Sequence, residues 1–256
     1  MSLGMLYRRA RDLLFPRKCV ACNTLLDWYE TPRGHEVLCE DCLTKWNRAQ
    51  EECCNICGKR VTACTCVTEV MDKAKCQLLH KLVYYQPRTA DAVQNRLLFY
   101  MKRTRDAEVP FFLAGRLLPM LRRLQEEKGV VSDAICITYL PRGRRAKLEH
   151  GTDQGECLAR ALAKLSGIPC RALILRDRRQ SMEQKTLSPT ARLQNARRAF
   201  QIAPGVSLRG KTVILVDDIV TTGSGMAIAT RLLRRAGALE VWCFAVASDD
   251  VNRERK

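Results

Sequence analysis

From residue 78 onward, short and mostly apolar runs alternate with longer stretches in which apolar residues recur every three or four positions. Runs of four to eight residues predict strands buried on both faces, and the 3.6-residue recurrence predicts amphipathic helices. The runs are 78–85 (LLHKLVYY), 134–138 (AICIT), 171–175 (RALIL), 212–216 (TVILV) and 241–247 (VWCFAVA). Helical spacing covers 93–103, a segment opened by Pro110 in which Pro119 predicts a kink or break, a segment with Asp153 as N-cap and Gly167 as its stop, and 225–237, closed at Gly237. Strand, loop and helix in repetition predict an α/β fold. Its parallel sheet is flanked by helices on both faces, with ligands bound at the carboxyl ends of the strands.

Residues 1–76 follow a different pattern. A short N-terminal helix packing Leu6, Leu13 and Leu14 is expected first, and then cysteines dominate: nine of the 14 lie between 19 and 66. Cys19-x-x-Cys22 and Cys39-x-x-Cys42 form two knuckles at zinc-ribbon separation. Cys54-x-x-Cys57-Gly58, followed by Cys64-x-Cys66, repeats the arrangement in compressed form. Tetrahedral zinc needs four thiolates converging on one point, and a CxxC turn supplies two on one side of a bend. Cys53 competes with Cys54 as a ligand, the two sets can interleave, and His35 is an alternative donor in the first loop. The reading is a double zinc ribbon module over 1–76, in which metal replaces a core too small to fold alone, and an α/β domain over 77–256.

Charge changes the picture in one place. The chain carries +17, yet residues 1–76 hold 12 basic against 10 acidic residues, whereas 141–209 hold 15 against five. The ribbon is not the basic part. The excess over 141–209, richer in Arg than Lys, predicts a polyanionic or phosphate-bearing partner. No apolar run approaches the roughly 20 residues that span a bilayer, and Arg8, Arg9, Arg11 and Asp12 interrupt the start before a signal-peptide core forms. A cytoplasmic protein without membrane insertion is expected.

The densest chemical signal is Val213-Ile-Leu-Val-Asp217-Asp218-Ile-Val-Thr221-Thr222-Gly223-Ser224-Gly225. A buried strand delivers two carboxylates, and a hydroxyl- and glycine-bearing loop opens the next helix. Such a loop wraps a phosphate with N–H groups, hydroxyls and the positive helix end. The acids repel that phosphate, so they suit the vicinal hydroxyls of a ribose or a share in a magnesium site. Phosphate and diol on adjacent residues imply a ribose 5-phosphate. The string lacks the GK[ST] of a Walker A loop, which argues against nucleoside triphosphate hydrolysis.

This string resembles the 5-phosphoribosyl-1-diphosphate (PRPP) motif of type I phosphoribosyltransferases. With the double ribbon, R-x-R-R-x-K at 142–147, HGTDQ at 150–154 and LSPTARLQNARRAF at 187–200, the chain resembles the ComF family of competence-associated proteins. The resemblance implies ribose contacts from Asp217 and Asp218, and a 5′-phosphate held by Thr221, Thr222, Gly223 and Ser224. It also implies a diphosphate facing Arg142, Arg144, Arg145 and Lys147, with magnesium, and a hood over 177–200 bearing Gln184, Arg192 and Asn195. His150-Gly151-Thr152-Asp153-Gln154 departs from the family's Arg-Gly-aromatic-Asn-Gln. Structural zinc, PRPP with magnesium, and single-stranded DNA with DNA-uptake proteins follow as expected cofactors and partners. The alternative is a metabolic transferase acting on a nitrogen acceptor. A further option is a degenerate transferase serving as a structural partner. Aromatics are scarce over 141–209, where Phe200 stands alone, so DNA contact there is expected through phosphates rather than stacking.

Overall fold

The computed structural model describes residues 16–26, 37–86, 89, 91–103, 107–143, 153–176 and 200–249. Strands β1 (Leu79–Tyr84), β2 (Ile135–Tyr139), β5 (Thr212–Val220) and β6 (Glu240–Ser248) form a sheet in the order β1-β6-β5-β2. All three pairings are parallel. Successive side chains enter opposite cores. Ile214, Val216, Trp242, Phe244 and Val246 enter one, and Val213, Leu215, Val241, Cys243 and Ala245 enter the other. That double burial is why both strands read as unbroken apolar runs.

The first core is closed by α3 (Val93–Arg103), α4 (Glu108–Lys128) and α5 (Gln154–Ser166). The second is closed by α6 (Ser224–Arg235) and the short α2 (Glu69–Asp72). Helix α1 (Glu40–Ala49) belongs to the cysteine-bearing part, yet its Trp46 enters the first core and meets Phe112 edge to face at 5.9 Å.

Asp153 caps α5 by accepting the Glu156 amide, and Gly167 ends it at φ +77°. Pro119 does not break α4, whose 21 residues run through it. Its ring lies on the exposed side, and Gly115, one turn before it, carries no side chain to crowd that face. Pro110 sits in the first turn, where its missing N–H costs nothing.

The run at 171–175 does not become a full strand of the main sheet. Ile137 bonds Pro169 and Arg171 around one parallel bridge to Cys170. The chain then turns, with the Leu173 amide bonded to the Arg171 carbonyl and to Thr138 Oγ1. It continues as β3 (Ile174–Arg176), antiparallel to β4 (Phe200–Ile202). Among the described residues no helix is long and apolar enough to cross a membrane.

Candidate functional site

Strand β5 outruns its neighbour. Strand β2 stops where Tyr139 pairs with Val216, whereas β5 continues beside β6 as far as Val220 opposite Ser248. Beyond Val216, one flank of β5 therefore faces the departing 140–143 loop instead of a strand. Helix α5, after β2, covers the first core, and α6, after β5, covers the second. The crevice between β2 and β5 is thus the point where the winding reverses, the place where open α/β sheets bind ligands.

Asp217 and Asp218 stand at this gap. Each accepts the amide of the following residue at 2.9 Å, which fixes one carboxylate oxygen. Strand alternation carries Asp218 to the first core's side, where it is buried and ion-paired with Arg142 of the loop. Burial pushes the Asp217 carboxyl well above its usual range, and the neighbouring Asp218 charge adds to this. The Arg142 amide donates to Asp153 Oδ2 at 3.0 Å, so one carboxylate caps α5 and anchors the loop together. Leu140 presses on the first turn of α6, where a Cβ on Gly225 would stand 2.6 Å from Leu140 Cδ2.

Gly223, the N-cap of α6, takes φ +74°, a conformation that a side chain disfavours. Thr222 and Ser224 bring their hydroxyls to 3.0 Å, and the Ser224 amide donates to Thr222 Oγ1 at 3.4 Å. Thr221 and Thr222 are exposed, so hydroxyls and the amino end of a 12-residue helix open on the same surface. The structure therefore gathers Asp217, Asp218, Thr221, Thr222, Gly223, Ser224 and Arg142. Arg144, Arg145, Lys147, His150, Gly151, Thr152, Gln184, Arg192, Asn195, His35, Leu6, Leu13 and Leu14 lie outside the described residues.

Two cations join the site without having been singled out by the sequence. Burial lowers the pKa of Lys102, at the end of α3, against the attraction of Asp218. Gln154 Nε2 donates to the Met101 carbonyl at 3.2 Å, tying this helix end to α5. Arg176, at the end of β3, lies over Gly143 and stacks on Phe200 at 5.3 Å. The basic turn closing α3 was the signal for Lys102.

The eight expected ligands form two separate groups, Cys19/Cys22/Cys39/Cys42 and Cys54/Cys57/Cys64/Cys66, with the sulfurs of each within 4.8 Å of one another. They do not interleave. Cys53 points away, exposed, toward the Glu51 carbonyl, and Cys54, not Cys53, joins the second cluster. Gly58 turns the second knuckle at φ +68°. Backbone amides of Ile56 and Cys66 donate to Cys54 Sγ and Cys64 Sγ at 3.4 Å. Lys81, 3% exposed, places its ammonium 3.3 Å from Cys64 Sγ and 3.2 Å from the Cys66 carbonyl. A buried cation against sulfur matches thiolates, which carry the negative charge.

Hydrogen bonds with Thr24 bring the Cys22 thiol down to about 6. Burial acts to raise Cys54, but the Cys57 amide and the Tyr84 hydroxyl outweigh it and bring that thiol to about 6. Burial pushes Cys66 up to about 12. Four soft donors at this spacing suit a tetrahedral thiophilic ion such as zinc, whose binding displaces the remaining protons.

Residues 152–256, which include β5, the acid pair and the loop into α6, match the phosphoribosyl transferase domain family. Over those residues the chain is similar to phosphoribosyl transferase domains. It is 31% identical over 151 residues to the DNA utilization protein YhgH of Salmonella typhimurium, covering 58% of this chain and 65% of that one. The protein of the same name from Escherichia coli is 26% identical over 237 residues, covering 91% and 98%. Competence protein F of Haemophilus influenzae is 32% identical over 98 residues, covering 38% and 43%. The phosphoribosyl transferase domain match begins just before Asp153, so α3, α4 and β2, which supply Lys102 and Arg142, precede it.

Proposed function

We propose that the site binds PRPP with magnesium and that the chain uses this ligand in handling DNA. The observation that carries the reading is the placement of Asp217 and Asp218 where β5 has lost β2 from one flank, a few residues before the positive-φ Gly223 that opens α6 between two hydroxyls. Asp217 and Asp218 accept hydrogen bonds from the ribose diol. Thr221, Thr222, Gly223 and Ser224 hold the 5′-phosphate, and Arg142 and Arg144 face the diphosphate. The carboxylate pair suits a hard divalent ion, which supplies charge neutralisation at the diphosphate when bound. Zinc held by the eight clustered cysteines has a structural role. The DNA role rests on the names of the relatives and on the basic excess over 141–209.

Titration calorimetry with PRPP and magnesium tests the ligand. Asp217→Ala and Asp218→Ala should each weaken binding by about 1–3 kcal/mol. No affinity in the wild type at millimolar ligand, or alanine variants that bind equally well, would end the reading. Binding to single-stranded DNA should fall with salt at about 0.7 log units per log unit for each phosphate neutralised. Charge reversal at Arg178, Arg179, Arg197 and Arg198 should weaken it more than loss of the cysteine clusters does. Pyrophosphate release in the presence of candidate nitrogen bases would instead favour transfer to a metabolic acceptor.

A further inference from the structure

The chain segment leaving the second cysteine cluster is locked against the loop that opens α6. Thr68 lies two residues after Cys66 and is buried. Its hydroxyl donates to the Thr222 carbonyl at 2.9 Å and accepts the Met71 amide at 3.3 Å, capping α2. Both capacities of one hydroxyl are thus used, one on each side of the contact. A Cβ on Gly223 would stand 2.5 Å from Thr68 Oγ1, 2.6 Å from Met71 Cγ and 2.8 Å from Met71 Sδ. Gly223 is therefore required by close approach as well as by its φ.

The peptide unit is planar and trans, so its C=O and N–H point in opposite directions. Holding the Thr222 carbonyl toward buried Thr68 turns the Gly223 N–H outward. The cluster end of this connection is equally fixed. The Leu79 amide donates to the Thr65 carbonyl at 3.1 Å, and Lys81 grips Cys64 and Cys66. Arg231 of α6 adds a bond of 3.0 Å to the Lys73 carbonyl.

We propose that Thr68 and Met71 are positioning residues for the 221–224 loop, and that metal occupancy of the Cys54/Cys57/Cys64/Cys66 cluster and affinity for the ligand's 5′-phosphate are thereby coupled. The ligand half of this proposal rests on the PRPP reading above. Metal fixes Cys64 and Cys66, these fix the start of the Thr68 segment, and Thr68 fixes the peptide that presents the loop. Linkage is reciprocal: a ligand that requires the ordered loop must raise metal affinity by the factor by which metal raises ligand affinity.

The test uses the full chain as wild type, Thr68→Val and Thr68→Ser. Hydrogen exchange at the 221–224 amides, without ligand, should speed up in Thr68→Val and on stripping the metal, while Thr68→Ser stays near wild type. Affinity for PRPP with magnesium should fall roughly 3- to 10-fold in Thr68→Val, the worth of one hydrogen bond. Thr68→Ser should restore it. Affinity for inorganic pyrophosphate with magnesium, which lacks the 5′-phosphate, should stay within twofold in all three proteins. A chelator-competition titration should show zinc held more tightly in the presence of PRPP, with that gain lost in Thr68→Val. Unchanged loop exchange in both Thr68→Val and the metal-stripped chain overturns the coupling. So does a wild type that binds PRPP with no change in zinc affinity. If loop exchange responds as expected but wild type ignores PRPP, the positioning role stands and the PRPP reading falls.

Discussion

The two cysteine clusters share a ligand set but are built into the molecule differently. The first docks on the helical core. Cys42 and Trp46 lie one turn apart on the same face of α1, and Trp46, fully buried, reaches Phe112 of α4. The second docks on the sheet edge and the site. Lys81 of β1 grips its sulfur, Tyr84 of β1 packs against it, and Thr68 runs from it to Thr222. The first cluster thus abuts the helical core and the second the loop before α6, so two similar sets of four cysteines differ in what their flanking residues touch.

The largest expected effect sharpens this contrast. Structural zinc contributes about 10–16 kcal/mol of binding free energy in small cysteine modules, so Cys42→Ala and Cys64→Ala should each lose one equivalent of metal and unfold their own cluster. Cys64→Ala also leaves the buried Lys81 ammonium without its thiolate. Urea titrations should show it the more damaging of the pair, since an uncompensated buried charge costs about 3–5 kcal/mol. Equal losses in the two variants would remove the distinction.

Next in size, Trp46→Ala should cost about 3–5 kcal/mol by emptying a fully buried position, with ligand affinity unchanged because the first cluster does not touch the loop. Gly223→Ala should reverse that balance. Its positive φ costs about 1–2 kcal/mol, the contact with Thr68 and Met71 adds to it, and ligand affinity should collapse while far-ultraviolet circular dichroism is retained.

The smallest effect concerns acid. His80 stacks on Phe244 at 4.9 Å with neither ring nitrogen hydrogen-bonded among the described residues. Burial, with Lys81 and Arg123 nearby, lowers its pKa from 6.5 to about 4. The unfolded chain binds that proton more readily, so the contribution is present above 6.5 and lost as pH falls toward 4. Comparing denaturation midpoints of wild type and His80→Phe at pH 7 and pH 5 separates this loss from metal release, which both proteins share.

Much of this architecture was legible in the chain. Apolar runs at 134–138, 212–216 and 241–247 became β2, β5 and β6 because a strand buried on both faces leaves no polar gaps. Asp153, Gly167 and the two groups of four cysteines were readable because helix caps and knuckle spacing are local chemistry. What escaped was non-local. The run at 171–175 says nothing of its turn at Leu173, which depends on Thr138. Thr68 looks like an ordinary cap until the fold brings Thr222 to it across 154 positions. Lys102 comes near Asp218 where Gln154 of α5 ties down the end of α3.

The ion pair between Arg142 and Asp218 makes the crevice a matter of exchanged partners. An anion that recruits the guanidinium strips a buried carboxylate of its cation. A polyol that recruits the carboxylate does the same to the guanidinium. Either visitor alone must break an existing bond and leave one half unsatisfied. Under the PRPP reading, a single molecule presenting an anion and a diol together would satisfy both halves at once, so it should bind more tightly than either part offered alone.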